Sequence, residues 1–288
     1  MTTSHVDEPA APAPTSGGLR ATLAYQLRCL GLILASHPAP GVLRRYLGHY
    51  ARRALRGGDA ATRAEVESAR TRFKAATAGR QFTGYWFDNN IPHWVAQLAD
   101  FKARHAHPSI LEIGSYEGRS TLFLLTHFPA CTVTAIDPWS EASEHHAHGQ
   151  LAAAEQRFDA NMRDYAARVR KLRGRSGERL AGLLAEGTSQ FDLIYIDGSH
   201  FADDVMVDAV LAWALLRNGG VMIFDDYVWL DYHYGARKSV CRAVNLFLRL
   251  VEGEYRLRHV GNQLMVEKLR AVREIRPAAS PAALAGKA

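Results

Sequence analysis

The chain has 288 residues, 48% of them apolar and 22% charged, which excludes disorder throughout and suits one large globular domain or two small ones. Its 35 Lys and Arg against 29 Asp and Glu give a net charge of +6, a balance fit for nucleic acid or an anionic membrane only if it were evenly spread. It is not: Leu19 to Ala75 carries +8, Ala76 to Glu267 carries −4, and the two ends hold the rest. The acidic central span argues against nucleic acid as a partner.

Cys29, Cys131 and Cys241 are odd in number and share no metal-ligand or redox spacing, so they read as packing residues in a reducing compartment. No run reaches the roughly 18 apolar residues of a membrane span. The N-terminus has Asp7 and Glu8 where a secretion signal would be positive. The expectation is a cytoplasmic protein.

Taken in order, residues 1–18 and 271–288 are Pro/Ala-rich ends expected to be disordered. Residues 19–80 form an N-terminal helical segment. Leu19, Leu23, Leu27, Leu30 and Leu34 mark a first helix, ended by His37-Pro38-Ala39-Pro40-Gly41. A basic second helix runs from Val42 to Leu55, and a charged third one from Ala60 to Ala78, closed by Gly79. This basic region could touch an anionic membrane surface or an acidic partner. It could equally pack on the main domain or on a second copy of the chain, and this plainer reading is favoured because basic amphipathic helices are common.

Residues 81–270 form the main domain. From Ser109 short β-rich runs alternate with helical ones, as in βαβ units around a parallel sheet. Strands are expected at Ser109–Ile113, Thr132–Ile136, Val169–Leu172, Phe191–Ile196, Gly220–Phe224, Tyr255–Val260 and Gln263–Lys268. Gly261-Asn262 between the last two is a turn dipeptide, so they form an antiparallel hairpin. The fold class is therefore α/β, a doubly wound, mostly parallel seven-stranded sheet with a terminal antiparallel hairpin, preceded by N-terminal helices. An ordinary dinucleotide-binding fold would continue instead with another parallel strand.

The first strand runs through Glu112 into Gly114-Ser115-Tyr116-Glu117-Gly118 and on into a helix at Arg119-Ser120. Glycine lets the backbone turn sharply and approach a ligand. Asp137 ends the next strand, where a carboxylate can accept from both hydroxyls of a ribose. The loop lacks the three glycines of a pyrophosphate cradle, and Glu112 and Glu117 add negative charge. A cationic adenosine cofactor without phosphate fits better, and S-adenosylmethionine is such a molecule. Further on, Asp197 ends the fourth strand and Asp225-Asp226 end the fifth. Three carboxylates on one rim would repel unless a cation sat between them, and oxygen ligands suit Mg²⁺. The alternatives are a cofactor or helix-cap contact for Asp197 and a cap on the following segment for the acidic pair. His200 would face the same pocket, as general base or as a supporting or surface imidazole.

Glu112-Ile113-Gly114-Ser115-Tyr116-Glu117-Gly118-Arg119-Ser120, Ala135-Ile136-Asp137-Pro138-Trp139, Asp197-Gly198-Ser199-His200, Gly219-Gly220 and Asp225-Asp226-Tyr227 resemble the class I S-adenosylmethionine-dependent methyltransferases. More narrowly, they are similar to the metal-dependent sugar and natural-product O-methyltransferases related to macrocin and mycinamicin O-methyltransferases. The likeness spans about Phe82 to Lys268. It implies a cofactor site of Glu112, Gly114, Ser115, Tyr116, Gly118, Ser120, Asp137, Ser176 and Asp197, with Ser176 beside the adenine. It further implies Mg²⁺ on Asp197, Asp225 and Asp226, His200 as base, and a small hydroxyl acceptor such as a sugar, glycoside or specialised metabolite.

Tyr85, Trp86, Trp94, Trp139, Tyr227, Trp229, Tyr232 and Tyr234 are expected near the rim, their flat faces suited to a sugar or polyketide ring, with Trp94 and Trp139 assigned to the core. His145, His146 and His148 read as a solvated loop rather than a metal site. A metal-independent small-molecule methyltransferase, a nicotinamide oxidoreductase and a scaffold that only keeps the fold are the competing readings. The missing third glycine speaks against the oxidoreductase, and the intact Asp and His cluster against the scaffold.

Overall fold

The structure is a computed structural model, described here for residues 19–55, 59–139, 150–186, 191–230 and 239–269. Seven strands run β1 (Ser109–Ile113), β2 (Thr132–Asp137), β3 (Val169–Arg173), β4 (Phe191–Ile196), β5 (Leu216–Phe224), β6 (Tyr255–Val260) and β7 (Leu264–Lys268). They form one sheet in the order β3-β2-β1-β4-β5-β7-β6. Strands β1 to β5 are parallel, and β7 enters antiparallel between β5 and β6. The expected fold class and terminal hairpin are both present.

Successive side chains of a strand point to opposite faces, so each sheet face has its own core. Leu111, Ile113, Ile194, Ile196, Met222 and Phe224 face one layer; Ile110, Leu193, Tyr195, Val221 and Ile223 face the other. The first layer is covered by α1 (Leu19–Ala35), α2 (Val42–Leu55), α8 (Ser176–Ala185), α9 (Ala202–Leu215) and α10 (Val240–Leu250). The second is covered by α3 (Ala60–Thr77), α4 (Ile91–Gln97), α5 (Ala99–Arg104), α6 (Arg119–His127) and α7 (Gln150–Met162). The N-terminal helices thus divide between the two faces.

The leucine stripe of α1 does not mark its packing face. Leu23, Leu27 and Leu34 are more than half exposed, whereas Cys29 and Ile33 are fully buried. The reason is angular: α10, the loop after β5 and the turn between β6 and β7 meet the helix along Tyr25, Cys29 and Ile33, where the Cys29 thiol reaches the Val228 carbonyl and Tyr25 reaches Asn262. All three cysteines are free and buried, as expected of packing residues. Strand β5 starts at Leu216, earlier than the sequence suggests, because Phe191 pairs with Leu216 before the register shifts to Leu193 with Val221. Gly219, at φ +81°, absorbs that irregularity.

Candidate active site

In a parallel sheet, the backbone ladder continues past the strand ends and ties the following loops together. Gly114 N–H donates to the Ile136 carbonyl, Asp197 N–H to Ile113, Asp225 N–H to Ile196 and Gly174 N–H to Asp137. The loops after β1, β2, β3, β4 and β5 therefore share one rim. The strand order reverses direction at β1, which lies between β2 and β4, and ligands bind such sheets at that switch point.

Gly114 is required where it stands. Its φ is +86°, and a Cβ there would lie 1.8 Å from the Asp197 carbonyl oxygen. Gly118, at φ +80°, caps α6. Asp137 holds the rim from below: one carboxylate oxygen accepts from the Tyr116 N–H at 2.9 Å and the other from the Trp139 N–H at 2.8 Å. Trp139 in turn donates its indole N–H to the Tyr116 carbonyl. Both Tyr116 and Trp139 sit in the left-handed region, at φ +44° and +39°, a conformation non-glycine residues adopt only when surroundings over-determine it.

Glu112 is fully buried under the start of α6. Ser115 and Thr121 donate their hydroxyls to its Oε2, while Oε1 has no hydrogen-bond partner. Burial raises its pKa, and the hydroxyls of Ser120, Thr121 and Ser115 oppose the rise. Ser115 and Ser120 therefore serve Glu112 in this arrangement, each nearly buried. Ser176 opens α8 and hydrogen-bonds Asp208, a buried α9 carboxyl that burial pushes up to about 7.

The acidic residues divide into two pairs. The Tyr195 hydroxyl lies between Asp197, at 2.8 Å, and Asp225. Asp225 Oδ2 also accepts from Gln263 at 2.9 Å and from Asn90 at 3.2 Å. Asp226, at φ +50°, turns its carboxylate to His200, whose Nε2 lies 2.9 Å from Oδ2. The His200 ring also rests against Trp229, 4.1 Å between centroids. Burial and the charges of Asp225 and Asp226 drive the Asp197 pKa well up; burial and Asp226 lift Asp225 to about 6. A small cavity lined by Asp197, Gly198, Ser199, His200, Asp225 and Asp226 opens beside them.

The expected cofactor loop, Asp137, the Asp197–His200 loop and the acidic pair thus meet on one rim, although Asp226 faces His200 rather than the other two carboxylates. Of the aromatic residues, Tyr85 and Trp86 are exposed and Trp229 is half-buried, whereas Trp94 and Trp139 are core. Tyr227 is not on the rim: it is fully buried, with its hydroxyl on Asn245, because the Asp226 backbone conformation directs it inward. Tyr232, Tyr234, His145, His146 and His148 lie outside the described residues. Sequence reasoning missed Tyr195, Asn90 and Gln263. Tyr195 was within reach, since it lies two residues before Asp197 on the same strand face; the other two come from distant segments.

Residues 111–227 match the family described as Methyltransferase domain. No curated protein matches the chain. Among solved structures it is similar to MycE methyltransferase from the mycinamycin biosynthetic pathway, in complex with Mg, SAH and mycinamycin VI, at 19% identity and a TM-score of 0.48 over 74% of this chain. The match spans 57% of that enzyme, under two thirds of its length. An O-methyltransferase from Bacillus cereus in complex with SAH gives 19% identity and 0.46, covering 79% of this chain and 100% of that one. CalS11, a calicheamicin methyltransferase, gives 18% and 0.42, covering 75% and 95%. The segment that matches the methyltransferase-domain family, residues 111–227, holds the glycine loop, Asp137, Asp197, His200 and the acidic pair.

Proposed function

We propose that the chain is an S-adenosylmethionine-dependent O-methyltransferase acting on a hydroxyl of a sugar, glycoside or specialised metabolite, with a divalent cation, Mg²⁺, at the carboxylates. The observation that carries this reading is the convergence of Asp197, Asp225 and the Asp226–His200 pair on the rim beside the Gly114 loop. Residues 81–270 would hold the chemistry and residues 19–80 would form its helical surround.

The residues fit both groups. Asp197 and Asp225, pushed toward protonation by burial and by neighbouring charge, are what a hard divalent cation relieves, and they would hold it, with Asp226 beside them on the rim but turned to His200. When bound, the cation supplies charge that lowers the pKa of an acceptor hydroxyl. Gly114 lets the loop lie against the Asp197 backbone, Asp137 would accept from the ribose in addition to the two N–H groups it holds, and Glu112 beneath the loop would, when ionised, add negative potential for a cationic sulfonium. Gly118, Tyr116 and Ser176 would line the same site.

His200 takes the proton. Asp226 at its Nε2 fixes the ring and stabilises the imidazolium that results. S-adenosylmethionine, when bound, would supply the methyl group to the acceptor oxygen and leave as the neutral thioether. Tyr85, Trp86 and Trp229 offer faces to a ring-shaped acceptor.

The test is a screen of glycosylated and diol-containing acceptors with methyl-labelled S-adenosylmethionine and Mg²⁺. Label should pass to an acceptor oxygen, EDTA should abolish transfer and Mg²⁺ restore it. Transfer untouched by EDTA would remove the metal from the reading, and a chain that binds NAD but not S-adenosylmethionine would overturn it altogether. No helix among the described residues is long and apolar enough to cross a membrane. The exposed Leu23, Leu27 and Leu34 on basic α1 support a second copy of the chain or an anionic membrane surface as a contact for that helix.

A further inference from the structure

We propose that His49, His93 and His259 form a second metal site, for Zn²⁺ or a similar borderline transition metal, that joins the N-terminal helices to the end of the sheet. His49 comes from α2, His93 from α4 and His259 from β6. One ring nitrogen from each lies within 4.8 Å of the other two. A tetrahedral zinc with bonds of ~2.0–2.1 Å spaces its nitrogens ~3.3 Å apart, so modest ring rotations close the set. Three imidazoles without a carboxylate favour Zn²⁺ over Mg²⁺, which prefers oxygen.

The setting is built for close approach. His259 is buried, while His49 and His93 are half-buried, which leaves the fourth position to water. All three stand on helices or a strand, whose backbones hold ligand directions better than loops do. A Cβ at Gly261 would come within 2.8 Å of His259 Nε2 and 3.7 Å of His49, so glycine there keeps the cluster clear. Without a metal the rings pack as aromatic neighbours, His49 edge-on to His259 at 4.7 Å and His93 tilted on His259 at 5.1 Å. A cation would draw those same rings into a shared sphere.

The site also touches the support of the candidate active site without belonging to it. Trp94, the residue after His93, donates its indole N–H to Gln263, and Gln263 donates to Asp225. A metal on His93 and His259 would fix α4, which carries Trp94, and β6, which leads into the turn that carries Gln263, and His49 would lock α2 against them. This assignment does not depend on the methyltransferase reading.

The experiment uses the full chain without an affinity tag, stripped by chelation and titrated with Co²⁺ and then Zn²⁺. Expected are the intense visible bands of four- or five-coordinate Co²⁺ at one equivalent, their displacement by Zn²⁺, and a rise in Tm with Zn²⁺. His93→Ala and the milder His49→Gln should weaken Zn²⁺ binding by more than ~100-fold, beyond the ~10–100-fold typical of residues that merely orient a ligand. Asp225→Asn and the combined His145→Ala, His146→Ala and His148→Ala variant should keep the Co²⁺ spectrum. Faint octahedral Co²⁺ bands with no Zn²⁺-dependent Tm change in the native chain would overturn the proposal. Loss of the signal in the 145/146/148 variant, or its survival in both folded His93→Ala and His49→Gln, would overturn it too.

Discussion

At the scale of single residues, the site depends on a few groups held where their chemistry is costly. Gly114 admits no side chain, because φ is positive and the Asp197 carbonyl occupies the Cβ position. Gly114→Ala should therefore lose about 2 kcal/mol or more of stability, together with cofactor binding; thermal melts with and without S-adenosylmethionine would register both. His200→Ala removes the proton acceptor and should lower kcat by roughly 10²- to 10⁴-fold while leaving the cofactor Kd within about twofold, as read by calorimetry. Asp208 carries a pH signature. Its folded pKa, about 7, lies above the ordinary unfolded value, so the folded state holds the extra proton and stability falls as pH rises between ~4 and 7. Each unit across that window costs up to ~1.4 kcal/mol. Asp208→Asn should flatten this slope, melting higher than the native chain at pH 8 and close to it at pH 4.5.

At the scale of elements, the strands were legible and the helix faces were not. Short β-rich runs located all seven strands to within a few residues; the central ones, such as β4, are buried on both faces and leave a nearly continuous apolar segment, whereas β3 and β6 at the sheet edges alternate with charged residues. Helix α1 shows the opposite case. Leu23 and Leu27 lie on its exposed side and Ile33 on its buried side, and no local pattern distinguished two apolar faces when one was to meet α10. Ile33→Ala should cost roughly 2–4 kcal/mol, whereas Leu27→Gln should stay within about 0.5 kcal/mol of the native chain in denaturant titrations. Tyr227 makes the same point: its sequence neighbours are rim residues, yet its ring is in the core.

At the scale of the whole molecule, the division of charge acquires a place. The segment with +8 forms α1, α2 and α3, which lie outside the sheet on both faces, while the span with −4 includes Asp137, Asp197, Asp225 and Asp226 on the rim. Cys29, Ile33, Val42 and Tyr46 share one buried cluster with α9, α10 and the sheet. A chain beginning at residue 56 would expose that apolar face, and it should lose cooperative unfolding or aggregate, as followed by calorimetry and light scattering. The sequence by itself determined where the strands lie along the chain, the glycine loop and the acidic strand ends, since each is a local property of spacing and residue type. Tertiary structure alone decided which charges meet. It set Asp226 on His200 rather than on Asp197, put Tyr195, Asn90 and Gln263 around Asp225, and gathered His49, His93 and His259. Those meetings join residues up to 210 positions apart in the chain, and only the packing of whole layers, not any local preference, brings such distant groups within bonding reach.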